Sequence, residues 1–140
     1  MTFLPYETFE HEADIGIRGS GRTLEEAFEN TARALYSVMV NVGRIVPKEK
    51  RIITISAPDV ELLLVEWLNA LVYEMSTRHM LFSAFVVCID GPRLRATAWG
   101  EPIDRARHEP AVEIKGATYT ELRVERIDDG QWIAQLVVDV

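Results

Sequence analysis

The segment VELLLVEWLNALVYEMST, residues 60–77, constrains the chain more than any other. Leu64, Leu68, Leu71 and Met75 fall at helical spacing and make one stripe. Leu63, Val65, Trp67 and Val72 widen it, leaving only a narrow polar edge of Glu66, Asn69 and Tyr73. A helix that is apolar around most of its circumference has to be covered on most sides, so the remaining elements must wrap it. Pro58 and Asp59 stand where such a helix starts. With 140 residues, 48% of them hydrophobic, the chain can build one core of that kind. No repeat, low-complexity tract or linker divides it, so residues 1–140 read as a single domain.

The other elements follow from periodicity and punctuation. Thr23-Leu24-Glu25-Glu26 has the form of a capping box, in which the Thr23 hydroxyl accepts from a first-turn N–H and Glu26 reaches back. Leu24, Phe28, Thr31/Ala32, Leu35 and Met39 then predict a helix over about 24–40, closed by Gly43 and Pro47. Residues 13–18 and RIITISA (51–57) alternate as strands. LFSAFVVCID (81–90) and RLRATAWG (93–100) read as an antiparallel pair across Asp90-Gly91-Pro92. After a loop over 101–111, residues 112–127 and 131–140 are β-rich and are joined by Asp128-Asp129-Gly130, a strong hairpin signal. The predicted class is α+β, a mostly antiparallel sheet with two main helices packed on it.

Composition narrows the function. The longest apolar runs, such as LLLV at 62–65, are far too short to span a bilayer, so no membrane association is expected. The N-terminal MTFLPYETFEHEAD has no basic leader region. The single cysteine, Cys88, permits neither a disulfide framework nor a cysteine metal cluster; within FVVCI it reads as an inert core residue. These features predict a cytoplasmic protein. The net charge of −7 argues against stable direct nucleic-acid binding through phosphates and fits a basic protein partner or a bound cation. The local basic stretch RIVPKEKR (44–51) reads as a solvated loop.

The chain contains no phosphate-binding glycine loop, no GxSxG and no HExxH. Two polar clusters remain. In HEADIGIRGSG (11–21), a strand over 13–18 puts Ala13, Ile15 and Ile17 on one face and Glu12, Asp14 and Gly16 on the other, as a solvated face or as a cation site. GEPIDRARH carries Glu101, Asp104, Arg107 and His108, as a charged loop or as acid/base machinery. A third feature is the terminal Asp139-Val140, which offers several oxygens within one residue's length. If that strand ends beside Asp14, an all-oxygen pocket suited to Ca²⁺ or Mg²⁺ results, whereas a transition metal would want histidine or thiolate.

Taken together, HEADIGIRGSGRTLEEAFENTARALYSVM, LLVEWLNALVYEMST, GEPIDRARH, EIKGATYTEL and the terminal VVDV closely resemble the archease family, over essentially the whole chain and in order. The resemblance implies a small α+β protein that is not itself an enzyme. It implies instead a cofactor of the RtcB-type RNA ligase of tRNA splicing and RNA repair, one that promotes guanylylation of the ligase and multiple turnover. It implies a divalent cation, Ca²⁺ foremost with Mg²⁺ or Mn²⁺ as alternatives, held by Asp14, Asp139 and Val140. It also implies a functional lysine at Lys115 and a monomer that docks on the ligase. The chain departs from the family pattern at Glu12, where threonine is expected, at Thr120, where histidine is expected, and at HEPA, where His-x-x-Gly is more usual. Two readings of other classes stand beside this one. The first is a small metal-dependent hydrolase using Asp14, Glu101, Asp104 and His108, with His108 or His11 as base. The second is a chaperone-like module that binds proteins without metal. Glu12 reads as a neighbour of the Asp14 site, and His11 as a structural residue or one that supports a ligand from behind.

Overall fold

The computed structural model of the chain describes residues 3–127 and 129–140. In chain order its elements are β1 (Tyr6–His11), β2 (Asp14–Gly21), α1 (Leu24–Met39), β3 (Glu49–Ser56), α2 (Val60–Arg78), β4 (Met80–Asp90), β5 (Arg93–Pro102), the one-turn α3 (Arg105–His108), β6 (Gly116–Ala117), β7 (Arg123–Arg126) and β8 (Trp132–Asp139). Every strand pairing is antiparallel, and the class is the α+β expected. The strands divide into two sheets. One has the order β1-β2-β8-β6 with β7 also on β8, and the other the order β3-β5-β4.

Both long helices pack against strands of both sheets, and this gives α2 the wrapping its sequence demands. Leu64, Trp67, Leu68 and Leu71 have no exposed surface, while Glu66 and Tyr73 on the polar edge face solvent. Each such burial stabilises the fold by about 1.5–3 kcal/mol relative to exposure. Asp59 caps the helix by accepting from Leu62 N–H at 2.8 Å, and His79 closes it in the left-handed conformation at φ +56°. The Trp67 indole N–H donates to Phe28 O at 3.1 Å, tying α2 to α1 inside the core. The sheets contribute Ile17, Leu136 and Val138 from one side and Phe85, Val87 and Ala96 from the other.

Helix α1 starts where the sequence says. Thr23 Oγ1 accepts from Glu26 N–H at 3.1 Å, and Glu26 Oε1 reaches back to Arg22 N–H, also at 3.1 Å, one residue earlier than the usual box. Its body lies close on β2 because position 19 is glycine: a Cβ there would meet Thr31 N at 2.1 Å and Ala27 O at 2.5 Å. The helix ends at Met39, and an Asn41-capped 3₁₀ turn, Val42–Arg44, follows.

Three expectations are corrected. Cys88 is exposed rather than part of the core: β4 alternates, burying Phe85 and Val87 inward, and Cys88 falls with Val86 on the outer face. Glu12 does not share a strand face with Asp14. It is an exposed turn residue at φ +54° between β1 and β2, a hairpin whose first strand carried no recognisable turn signal. The run 112–127 is regular strand only at β6 and β7, with single backbone bonds linking Lys115, Thr118 and Thr120 to β8 and a left-handed turn residue, Glu121 at φ +55°, between them. The last hairpin does turn at Asp129-Gly130, with Gly130 at φ +82°; Asp128 of the predicted turn lies outside the described residues. No helix of the described residues is long and apolar enough to cross a membrane.

Candidate functional site

Asp14, Lys115, Asp139 and Val140 come together at one end of the five-stranded sheet. Ile15 is paired with Val138, which sets Asp14, at the start of β2, level with Asp139 on β8. On the other side of β8, Gly116 is paired with Asp139, and Lys115 N–H donates to Asp139 O at 2.8 Å. Val140 N–H donates to Asp14 Oδ1 at 3.4 Å, closing the group across β2 and β8. The central strand thus ends between the starts of its two neighbours. Asp139 and Lys115 are exposed, while Asp14 and Val140 are half-buried.

Local sequence explains how each is held. His11 and Asp14 are the closing pair of the β1–β2 hairpin, so the tight turn through Glu12 and Ala13 fixes where Asp14 begins. Ile114 is 5% exposed and anchors the segment, so the next side chain, Lys115, emerges into solvent. Asn69 Oδ1 accepts from Ala117 N–H at 2.9 Å, pinning the open edge of β6 to α2. Sequence reasoning placed Asn69 only on a polar helix edge. Its signal was a lone amide in an otherwise apolar helix, which calls for a buried or half-buried hydrogen-bond partner.

The donor chemistry suits a hard cation. Among the described residues no three His, Cys, Asp or Glu side chains cluster in a way that would hold a metal. Asp14 and Asp139 provide two carboxylates, and Val140 follows at the same strand end. Carboxylate oxygens with no thiolate beside them match Ca²⁺ or Mg²⁺ better than zinc.

The second cluster assembles as a structural clasp. Glu101 on β5 is 2% exposed; it accepts from Arg107 at 2.5 Å, from Val46 N–H at 2.7 Å and faces His108 Nε2 at 3.0 Å. Burial pushes the Glu101 carboxyl up, but the hydrogen bonds from Arg107, Val46 and His108 outweigh it and hold the carboxyl at about 2. His108 Nδ1 accepts from Asp104 N–H at 2.8 Å, so the ring proton sits on Nε2 and is directed at Glu101. Both imidazole nitrogens are therefore engaged within the cluster. Asp104 in turn caps α3, accepting from Ala106 and Arg107 N–H groups at 3.2 and 3.3 Å. Asp14 belongs to the other sheet, so the four residues of the hydrolase reading do not form one site.

An α+β fold with this sheet order and an oxygen-rich strand end defines the class. Residues 6–140 match the Archease protein family (MTH1598/TM1083). The chain is similar to protein archease of Pyrococcus furiosus, 46% identical over 139 residues, and to that of Pyrococcus abyssi, 43% identical; in both cases 96% of this chain and 98% of the relative are covered. Among solved structures, protein 1598 of Methanobacterium thermoautotrophicum superposes with a TM-score of 0.84 at 34% identity, covering 97% of this chain and 99% of that one. The chain belongs to the archease family.

Proposed function

We propose that the chain is an accessory protein of an RtcB-type RNA ligase, promoting ligase guanylylation and multiple turnover in tRNA splicing or RNA repair with a bound divalent cation. Archease family identity supports the accessory, chaperone-like part of this reading; one structure of the same fold, from Thermotoga maritima, is described as an archease and possible chaperone. The observation that carries the finer part is the meeting of Asp14, Asp139, Val140 and Lys115 at one strand end, from positions up to 126 residues apart. Asp14, Asp139 and the Val140 carboxylate would hold the cation, and Ca²⁺ suits them best because it tolerates an irregular all-oxygen shell. The cation would supply positive charge for a nucleotide phosphate. Lys115, exposed and next to Asp139, presents a point charge of the same sign, as phosphate-binding lysines do. The half-buried Asp14 fixes the geometry, since Val140 N–H already orients one of its oxygens.

The test is a ligation time course with the ligase kept far below its RNA substrate and the C-terminus of the accessory protein untagged. Wild type is expected to turn one stalled round into many, and Asp14→Ala to leave a single round. A parallel melting curve should rise with Ca²⁺ for wild type only, by the equivalent of about 2.7 kcal/mol at a concentration 100 times Kd. Equal turnover with and without wild-type protein refutes the ligase reading.

A further inference from the structure

The outer face of the three-stranded sheet is uncovered, apolar at its centre and basic around it. Strand register aligns Ile52, Thr97 and Val86 as one cross-strand row, and Ile52 and Val86 keep 53% and 51% of their surface exposed. One row away, Lys50 stands beside the half-buried Trp99; on the other side, Arg95 stands between Thr54 and Cys88. The next row puts Arg93 beside Asp90, while at the far end of β5 Glu101, two residues beyond Trp99, is buried against Arg107. Neither Lys50, Arg93 nor Arg95 has an ion-pair partner among the described residues. The face is therefore net positive on a chain whose overall charge is −7.

We infer that this face docks an acidic, apolar-centred surface of the ligase, a conclusion that rests on the accessory-protein reading and names the surface that reading leaves open. An apolar core with a charged rim, containing Trp and Arg, is the composition of a protein–protein interface. A second copy of the chain is a poor occupant, because two-fold packing of this face on itself sets one net-positive face against another. Single-stranded nucleic acid is a poorer one. Its bases stack on aromatic rings, whereas the exposed centre of this face, Ile52 and Val86, is aliphatic and the Trp99 ring beside it is half-buried. Charge complementarity with an acidic protein surface satisfies both the rim and the centre, and it predicts binding that weakens with salt.

The experiment measures binding of the purified cognate ligase to the full chain by calorimetry, for wild type, Arg95→Glu, Arg95→Gln and Ile52→Asp, each first checked by its melting curve. Wild type is expected to bind, more weakly at 0.5 M than at 0.1 M NaCl, and Arg95→Glu to bind about tenfold more weakly or worse. Arg95→Gln, which keeps a polar outward side chain, carries the test if Ile52→Asp fails to fold. Equal binding by wild type and all folded variants overturns the docking face while leaving the accessory reading intact. No binding by wild type overturns both. A labelled single-stranded RNA that binds wild type and is released by Arg95→Glu reassigns the face to nucleic acid.

Discussion

Replacing Glu101 with glutamine tests whether the buried β5–α3 cluster is a structural clasp, and the structure sets the size of the effect. The Glu101 carboxyl is held at about 2 against an ordinary 4.5, a difference worth about 3 kcal/mol of folding stability at roughly 1.4 kcal/mol per pH unit. That agrees in scale with the roughly 3–5 kcal/mol lost when one partner of a buried ion pair is removed. Glutamine also turns its one N–H₂ either toward Arg107 or toward Val46 N–H and His108, donors in both cases. Because the folded-state value is depressed, the stabilisation is complete above pH 4.5, declines between 4.5 and 2, and is gone below 2. Urea unfolding of wild type and Glu101→Gln at pH 7, 5 and 3 reads it directly, since the other carboxylates titrate alike in both proteins and cancel in the difference. The gap should be about 3 kcal/mol at pH 7 and roughly 1.4 kcal/mol at pH 3. A gap that stays constant from pH 7 to pH 3, or one below about 1 kcal/mol at pH 7, refutes the clasp.

Gly19→Ala should lower stability by about 1–3 kcal/mol, read as a drop in Tm, because the added methyl would press on the backbone of α1 at Thr31 N and Ala27 O rather than on a movable side chain. Tm equal to wild type would show that the α1–β2 contact is looser than the structure has it. Glu29 accepts from Val87 N–H at 2.9 Å on the edge of β4, and burial raises its carboxyl above the ordinary value. A raised acid favours the fold at low pH and loses that contribution as pH rises through its folded value. Glu29→Gln keeps an acceptor for Val87 without the charge, so its urea midpoint at pH 7 should match or exceed that of wild type. Any such advantage should shrink at pH 4. A lower midpoint at pH 7 would mean that the charge itself is needed at Val87.

What was legible in the chain was whatever local chemistry decides. The apolar girth of residues 60–77, the Thr23 cap, and the glycine turns at 91 and 130 each have a cause within a few residues, and each stands in the structure as an element or a turn. Strand β1 was not legible, because its hairpin turns through Glu12 and Ala13. The left-handed position there is taken by glutamate, with no Asn-Gly or Gly to announce it. Cys88 was misplaced for a related reason. FVVCI is apolar on both faces, so a buried strand and a half-exposed one look alike, and only the absence of a third layer over the β3-β5-β4 sheet decides between them.

The candidate site shows the same division between local and tertiary causes. Asp14 and the Asp139-Val140 pair were each visible as oxygen donors, but nothing local brings positions 14, 115 and 139 together. Their meeting follows from two antiparallel registers, Ile15 with Val138 and Gly116 with Asp139. Because period-2 side chains change face with a one-residue slip, an error in the first register would separate the two carboxylates and an error in the second would carry Lys115 away from Asp139. The residues that fix register therefore support the site as much as the candidate ligands do. Gly16 is covered by the Phe9 ring, which a Cβ would meet at 2.2 Å, and this holds β1 on β2 just beside Asp14. Asn69 does the same on the far side by holding Ala117 of β6 against α2. The apolar helix that most constrained the fold thus also supplies, through its one well-placed amide, the contact that sets Lys115 beside Asp139.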